Sequence, residues 1–126
     1  MPPDDPDVLI RKAKQDELVL ERLLQDRDVD DYTLGFHAQQ AVEKLLKAAM
    51  AMRGLDYPRT HDLGALIDML AKGGMILPEE LADVDLLTPF GTIFRYDEVV
   101  QQPGRDRQQW LGWIRSLRSL VTAMKR

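Results

Sequence analysis

Apolar positions recur along this chain at steps of three and four, with no sustained alternation of period two. That spacing writes out a series of amphipathic helices and no strands. The longest signal runs from Phe36 to Met52. Ala38, Val42, Leu45, Ala49 and Met52 form one apolar stripe, and Leu46, Met50 and Phe36 extend apolar surface around a second flank. His37, Gln40, Lys44 and Lys47 make up the polar stripe. A helix apolar over so much of its circumference needs cover from at least two sides, which predicts its own bundle on one and a second protomer on the other.

Taken in order, residues 1–6 read as a flexible tail. A first helix follows from about Asp7 to Leu24, with Asp7 as N-cap and Leu9, Ala13, Leu20, Leu23 and Leu24 as core. Asp16 falls on that core stripe. Two accounts stand for it: an acid that pairs with a basic group or reaches an edge, or a buried acid that orients an arginine. Asp26 to Asp31 is a charged turn, and the second helix spans about Asp31 to Arg53, with Gly54 placed to end it in a left-handed cap. Pro58 makes Gly54 to Arg59 a loop. Thr60 is the expected N-cap of a third helix, His61 to about Lys72, which buries Leu63, Leu66, Ile67 and Leu70 and stops at Gly73-Gly74. Pro78 suits the first turn of a fourth helix that turns Leu81, Val84 and Leu87 inward, and Pro89 should kink or split it. Phe90, Ile93 and Phe94 then supply the apolar side of a second short helical piece or an irregular one. Pro103-Gly104 links to a fifth helix, about Arg105 to Met124, with Trp110, Trp113, Ile114, Leu117, Leu120, Val121 and Met124 on one stripe and basic residues opposite. The fold class predicted is all-α: an up-and-down antiparallel bundle of four to five helices in a single domain, residues 7–126.

Composition narrows the function classes. At 126 residues the chain makes one core, and with 30% charged residues and no run near the roughly 18 apolar residues of a membrane span it reads as soluble. The absence of cysteine excludes disulfides, thiolate catalysis and cysteine-ligated metals. The acidic, proline-rich start, MPPDDPD, is the opposite of a signal peptide, so the expected location is cytoplasmic. The net charge of −4 hides an asymmetry: from Arg105 onward six basic residues face Asp106 alone, a balance of +5, and the remainder carries −9. An acidic protein with a basic C-terminal helix is no general nucleic-acid binder, yet that helix leaves room for a local phosphate-binding face.

Candidate chemistry is sparse. His37 and His61 begin no metal-binding array, no glycine-rich phosphate loop is present, and Ser116 and Ser119 have no histidine nearby in sequence, so neither a metal, a cofactor nor serine hydrolysis is expected. What remains is a set of polar residues in apolar surroundings: His37, Gln40 and Lys44 on the second helix; Arg59, Thr60 and His61 where the third begins; Arg95, Tyr96 and Asp97 after the fourth. Each also has a plain structural reading, in which His61 bonds a backbone carbonyl, Arg95 pairs with Asp16 or Glu43, and Tyr96 is core. The N-terminus of the third helix, with Arg59 and His61 beside it, is an expected anion site.

Three segments together resemble the HEPN domain family: FHAQQAVEKLLKAAMAMRG at Phe36–Gly54, YPRTHDLGALIDML at Tyr57–Leu70 and FRYD at Phe94–Asp97. The resemblance implies a helical bundle that usually forms a homodimer and is often paired with a small nucleotidyltransferase as a two-part toxin–antitoxin system. Many members are metal-independent ribonucleases whose arginine is followed four to six residues later by a histidine. There the arginine holds phosphate and the histidine serves as acid or base on the ribose hydroxyl. This chain departs from that motif: Arg95 matches the arginine by position, but no histidine follows it, and Arg27 and Arg53 precede His37 and His61 by ten and eight positions. The expectation is therefore a dimeric, non-catalytic module that binds a nucleotide, an RNA or a nucleotidyltransferase partner. Arg59, His61, Arg95, Tyr96, Asp97 and His37 would line the site, and Lys44 and Lys47 would contact phosphate. Two alternatives stand beside it: a divergent endoribonuclease toxin using Arg95 and His61 with Tyr96 or Asp97, and a purely structural adaptor.

Overall fold

The structure, a computed structural model, describes residues 5–92 and 107–125. Five helices, two single 3-10 turns and no strand make up the described residues: α1 (Pro6–Leu23), α2 (Asp31–Met52), α3 (Leu63–Lys72), the turns Glu79–Leu81 and Val84–Leu87, α4 (Thr88–Thr92) and α5 (Arg107–Ala123). The expected all-α bundle is therefore present. The segment from Ile93 to Asp106, with Arg95, Tyr96, Asp97 and the Pro103-Gly104 linker, lies outside the described residues.

Three local expectations need correction, each at a helix start. Helix α1 is capped by Asp5, whose Oδ1 accepts from the Asp7 N–H at 2.9 Å, because Pro6 takes the first helical position and moves the cap one residue upstream of it. Asp7 thereby falls in the first turn. Helix α3 starts at Leu63, not His61, and its cap is Asp62, which accepts from the Ala65 N–H at 3.2 Å. Thr60 instead accepts from the Asp62 N–H at 3.1 Å, so it shapes the loop before the cap. The helix expected from Pro78 is two 3-10 turns followed by α4. Pro89 cannot continue a helix from upstream, since it lacks an N–H and clashes with the carbonyl four residues back, but it fits the first turn of a new one. Leu81, Val84 and Leu87 are buried as expected. Gly54 takes φ of +69° and ends α2 in the left-handed cap that its position predicted.

Helix α2 is the centre. α1 packs along it most extensively, α5 crosses both, and α3, α4 and the second 3-10 turn cover the rest. From Leu34 to Met50 every residue is buried or half-buried except Phe36, which is 39% exposed. One chain thus supplies nearly all the cover that α2 needs, and the second flank expected for a partner narrows to Phe36. Close approach matters at one point: a methyl on Gly35 would fall 2.2 Å from the Phe90 ring, so only glycine lets α4 lie across α2. Phe90 in turn meets Trp110 edge to face, which ties α4 to α5.

Among the described residues, the basic side chains of α5 are paired with acids rather than left free for a phosphate. Arg118 donates to Glu17 through Nε at 2.6 Å and through a second guanidinium nitrogen at 3.2 Å. Arg115 reaches both Glu17 and Glu21, and Lys125 pairs with Asp7. Arg107 donates to Asp31 at 2.7 Å and to the carbonyls of Leu24, Asp26 and Val29, which pins the α1–α2 turn. Four of the six basic residues are thus satisfied by acids of α1 and α2. Leu111, outside the expected stripe, is also buried.

Candidate functional site

The polar stripe of α2 is organised by two carboxylates. Asp16, buried on α1, accepts from Lys44 Nζ at 2.6 Å and bonds His37 Nδ1 at 2.9 Å. Among the described residues Asp16 thus pairs with basic groups; Arg95, the arginine it would orient, lies outside them. One turn further along α2, Glu43 is buried and takes three donors: Gln39 Nε2 at 2.9 Å, Lys47 Nζ at 2.9 Å and His61 Nδ1 at 2.8 Å. Gln39, 0% exposed, also donates to the His61 carbonyl at 3.2 Å and accepts from Gln40 at 2.8 Å. Lys47 lies over the Tyr57 ring, 5.6 Å from its centroid. The loop from Tyr57 to His61 is thereby held to α2 through both the backbone and the side chain of His61.

Burial pushes the Glu43 carboxyl up, but the Gln39, His61 and Lys47 hydrogen bonds outweigh it and hold Glu43 below the ordinary carboxylate range. Glu17 behaves in the same way: burial raises it, and the hydrogen bonds from Arg118 and Lys14 prevail and lower it. Lowered native values mean the unfolded chain binds these protons first on acidification. The resulting stability is present in full above about pH 4.5, near the unfolded value, and is lost as pH falls through the native values. Thermal denaturation between about pH 6 and pH 3 should show a steepening loss of stability below pH 4.5. A Glu43→Ala chain should show a shallower slope there.

An ionised carboxylate only accepts, so the Nδ1 of His61 carries a proton toward Glu43. The His61 side chain is 56% exposed. The site therefore presents an acid–base group on a rigid mount. Arg59, exposed and two residues earlier, makes no hydrogen bond or ion pair among the described residues. Among the described residues it is an unpaired cation two positions before that imidazole in the chain. Gly91 lies against Gln39, where an added methyl would fall 2.3 Å from the amide carbon. The base of the site thus touches α4, four residues before Arg95 in the chain.

The residues singled out from sequence divide accordingly. His61 and Lys47 share Glu43; His37 and Lys44 share Asp16; Arg59 has no partner among the described residues; Arg95, Tyr96 and Asp97 lie outside the described residues. Lys44 and Lys47, expected to contact phosphate, are instead ion-paired inside the chain. The anion site expected at the start of α3 is not formed. The Asp62 carboxylate occupies the Ala65 N–H and Thr88 Oγ1 takes the Leu63 N–H at 3.1 Å, which places a negative charge where the anion would sit. Glu43 and Gln39 are the site residues that sequence reasoning missed. Their signal was two polar residues four apart inside an otherwise buried run, a spacing that stacks them on one helix face.

Among the described residues no group of three histidine, aspartate or glutamate side chains is placed to hold a metal ion, and no helix is long and apolar enough to cross a membrane. The family model for the HEPN domain matches residues 7–126. Neither the curated proteins nor the solved structures contain a match.

Proposed function

This chain belongs to the HEPN domain family, and from that premise we propose that it is a binding module that takes a nucleotide or a short RNA at the Glu43–His61 edge of α2. In this reading it acts in the cytoplasm as a homodimer, beside a nucleotidyltransferase in a toxin–antitoxin-like pair. One observation carries the ligand-binding part: an exposed imidazole is fixed by a buried, fully hydrogen-bonded carboxylate, with Arg59, unpaired among the described residues, two positions earlier in the chain. Arg59 supplies the phosphate contact that Lys44 and Lys47 do not, and Arg95, Tyr96 and Asp97 complete the site in the same proposal. Dimerisation rests on the common behaviour of HEPN domains and on Phe36.

Calorimetry with adenine nucleotides and a short single-stranded RNA tests the proposal. Arg59→Ala and His61→Ala should each weaken binding about tenfold, since a hydrogen bond to a charged group is worth about 1.5–3 kcal/mol. Absence of heat with every ligand, in a protein that light scattering finds monomeric at tens of micromolar, would sink the reading.

The Glu43–His61 pair also favours a second reading, a metal-independent endoribonuclease in which His61 is the base and Arg95 the phosphate-binding group. Incubation with total RNA decides it. Cleavage by the wild type that is lost in both His61→Ala and Arg95→Ala supports it; equal cleavage by all three, or none by the wild type, removes it.

A further inference from the structure

We infer that residues 76–86 form a docking surface for a basic segment of a protein partner that also carries apolar side chains. Residues 73–92 contain four acids, Glu79, Glu80, Asp83 and Asp85, and no lysine, arginine or histidine. All four are exposed, and none has an ion-pair partner among the described residues. Asp16, Glu17, Asp31 and Glu43 by contrast are each paired with a lysine or an arginine. The same stretch exposes Ile76 at 82% and Leu86 at 66%, the two most exposed large hydrophobic side chains among the described residues. Its inner side is firmly seated. Leu81, Val84 and Leu87 are buried, the first 3-10 turn packs on α5, and the second packs on α2 and α3. Core packing therefore accounts for those three side chains and not for Ile76 or Leu86. A surface anchored in this way costs little to order on binding. The charge decides the occupant. Four uncompensated carboxylates repel nucleic-acid phosphate and anionic lipid. A second copy fits poorly, because strip on strip sets like charges together and the whole chain carries −4. A basic segment neutralises the acids while its apolar side chains cover Ile76 and Leu86.

Titration of the full chain with a synthetic amphipathic leucine–lysine peptide tests this. In nitrogen-15 correlation spectra the amide shifts should concentrate on residues 75–87. By fluorescence anisotropy that peptide should bind at least about tenfold more tightly than a serine–lysine peptide of equal charge, since only the first can cover the two apolar side chains. Its affinity should fall as salt rises. The double variant Ile76→Ser with Leu86→Ser, at two exposed positions, should remove the difference between the peptides. Glu79→Gln with Glu80→Gln should weaken both peptides alike. Equal affinity of the wild type for the two peptides, shifts spread over the acidic turn of residues 26–31, or no binding overturns the inference. So does a wild type that light scattering finds heavier than the Ile76→Ser, Leu86→Ser variant, a result that makes a second copy the occupant. None of these outcomes touches the Glu43–His61 edge, whose own test uses nucleotides and RNA.

Discussion

Arg118→Ala should destabilise the protein by about 3 kcal/mol, the lower end of what breaking a buried ion pair costs. Glu17 is 1% exposed, and Arg118 supplies its two-pronged partner from the opposite end of the chain. Without it the carboxylate keeps Lys14 at 3.1 Å and the looser Arg115 at 3.7 Å, which is why the cost stays at that lower end. For a domain of this length the melting temperature should fall by roughly 10 °C. The discriminating control is the double variant Glu17→Leu with Arg118→Met. If the penalty comes from an orphaned buried charge rather than from lost packing, replacing both partners by apolar groups of similar size should recover most of it. A drop of less than about 3 °C for Arg118→Ala would place the charge in solvent and refute the buried pair.

Gln39→Leu should cost a similar amount, about 3 kcal/mol, although leucine matches the volume and the position is fully buried. The amide serves four neighbours: it donates to Glu43 and to the His61 carbonyl, accepts from Gln40, and underlies Gly91. Leucine leaves the His61 carbonyl and the Gln40 amide short of partners and removes one of three donors that hold the Glu43 proton off. The signature is a change in pH dependence. With a lowering group gone, the native Glu43 value rises toward its unfolded one, so its contribution shrinks and the acid slope flattens. A Gln39→Leu chain as stable as the wild type, with an unchanged acid limb, would mean that the network does not hold His61.

Much of the fold was legible because helix formation reads out locally. The 3.6-residue period placed α1, α2, α3 and α5 within a few residues of their ends, and Gly54 marked its own cap. The errors sit where two candidate residues compete within one turn. Asp5 displaced Asp7 through Pro6, and Asp62 displaced Thr60; both choices turn on which side chain reaches a free N–H, and period says nothing about that. The room left for a phosphate face on α5 is narrowed for a different reason. Arginines on one side of a helix look available until the helix is docked, and here α1 brings Glu17 and Glu21 to them.

The sequence by itself determined the class of the protein: helices, their apolar stripes, α2 as the element with the widest apolar coverage, and a pattern along residues 7–126 that places the chain in its family. Those properties depend on neighbours three and four residues away. Only the tertiary structure decided which charges are free. Glu17 and Arg118 are 101 positions apart, Asp16 and Lys44 are 28, and Glu43 and His61 are 18. Partnership at such separations depends on how each helix is rotated against the next, which packing of the whole core sets. That is why Lys44 and Lys47 read as ligand contacts in the sequence and prove to be ion-paired. It is also why Glu43, read in the sequence only as a candidate partner of Arg95, is found holding His61.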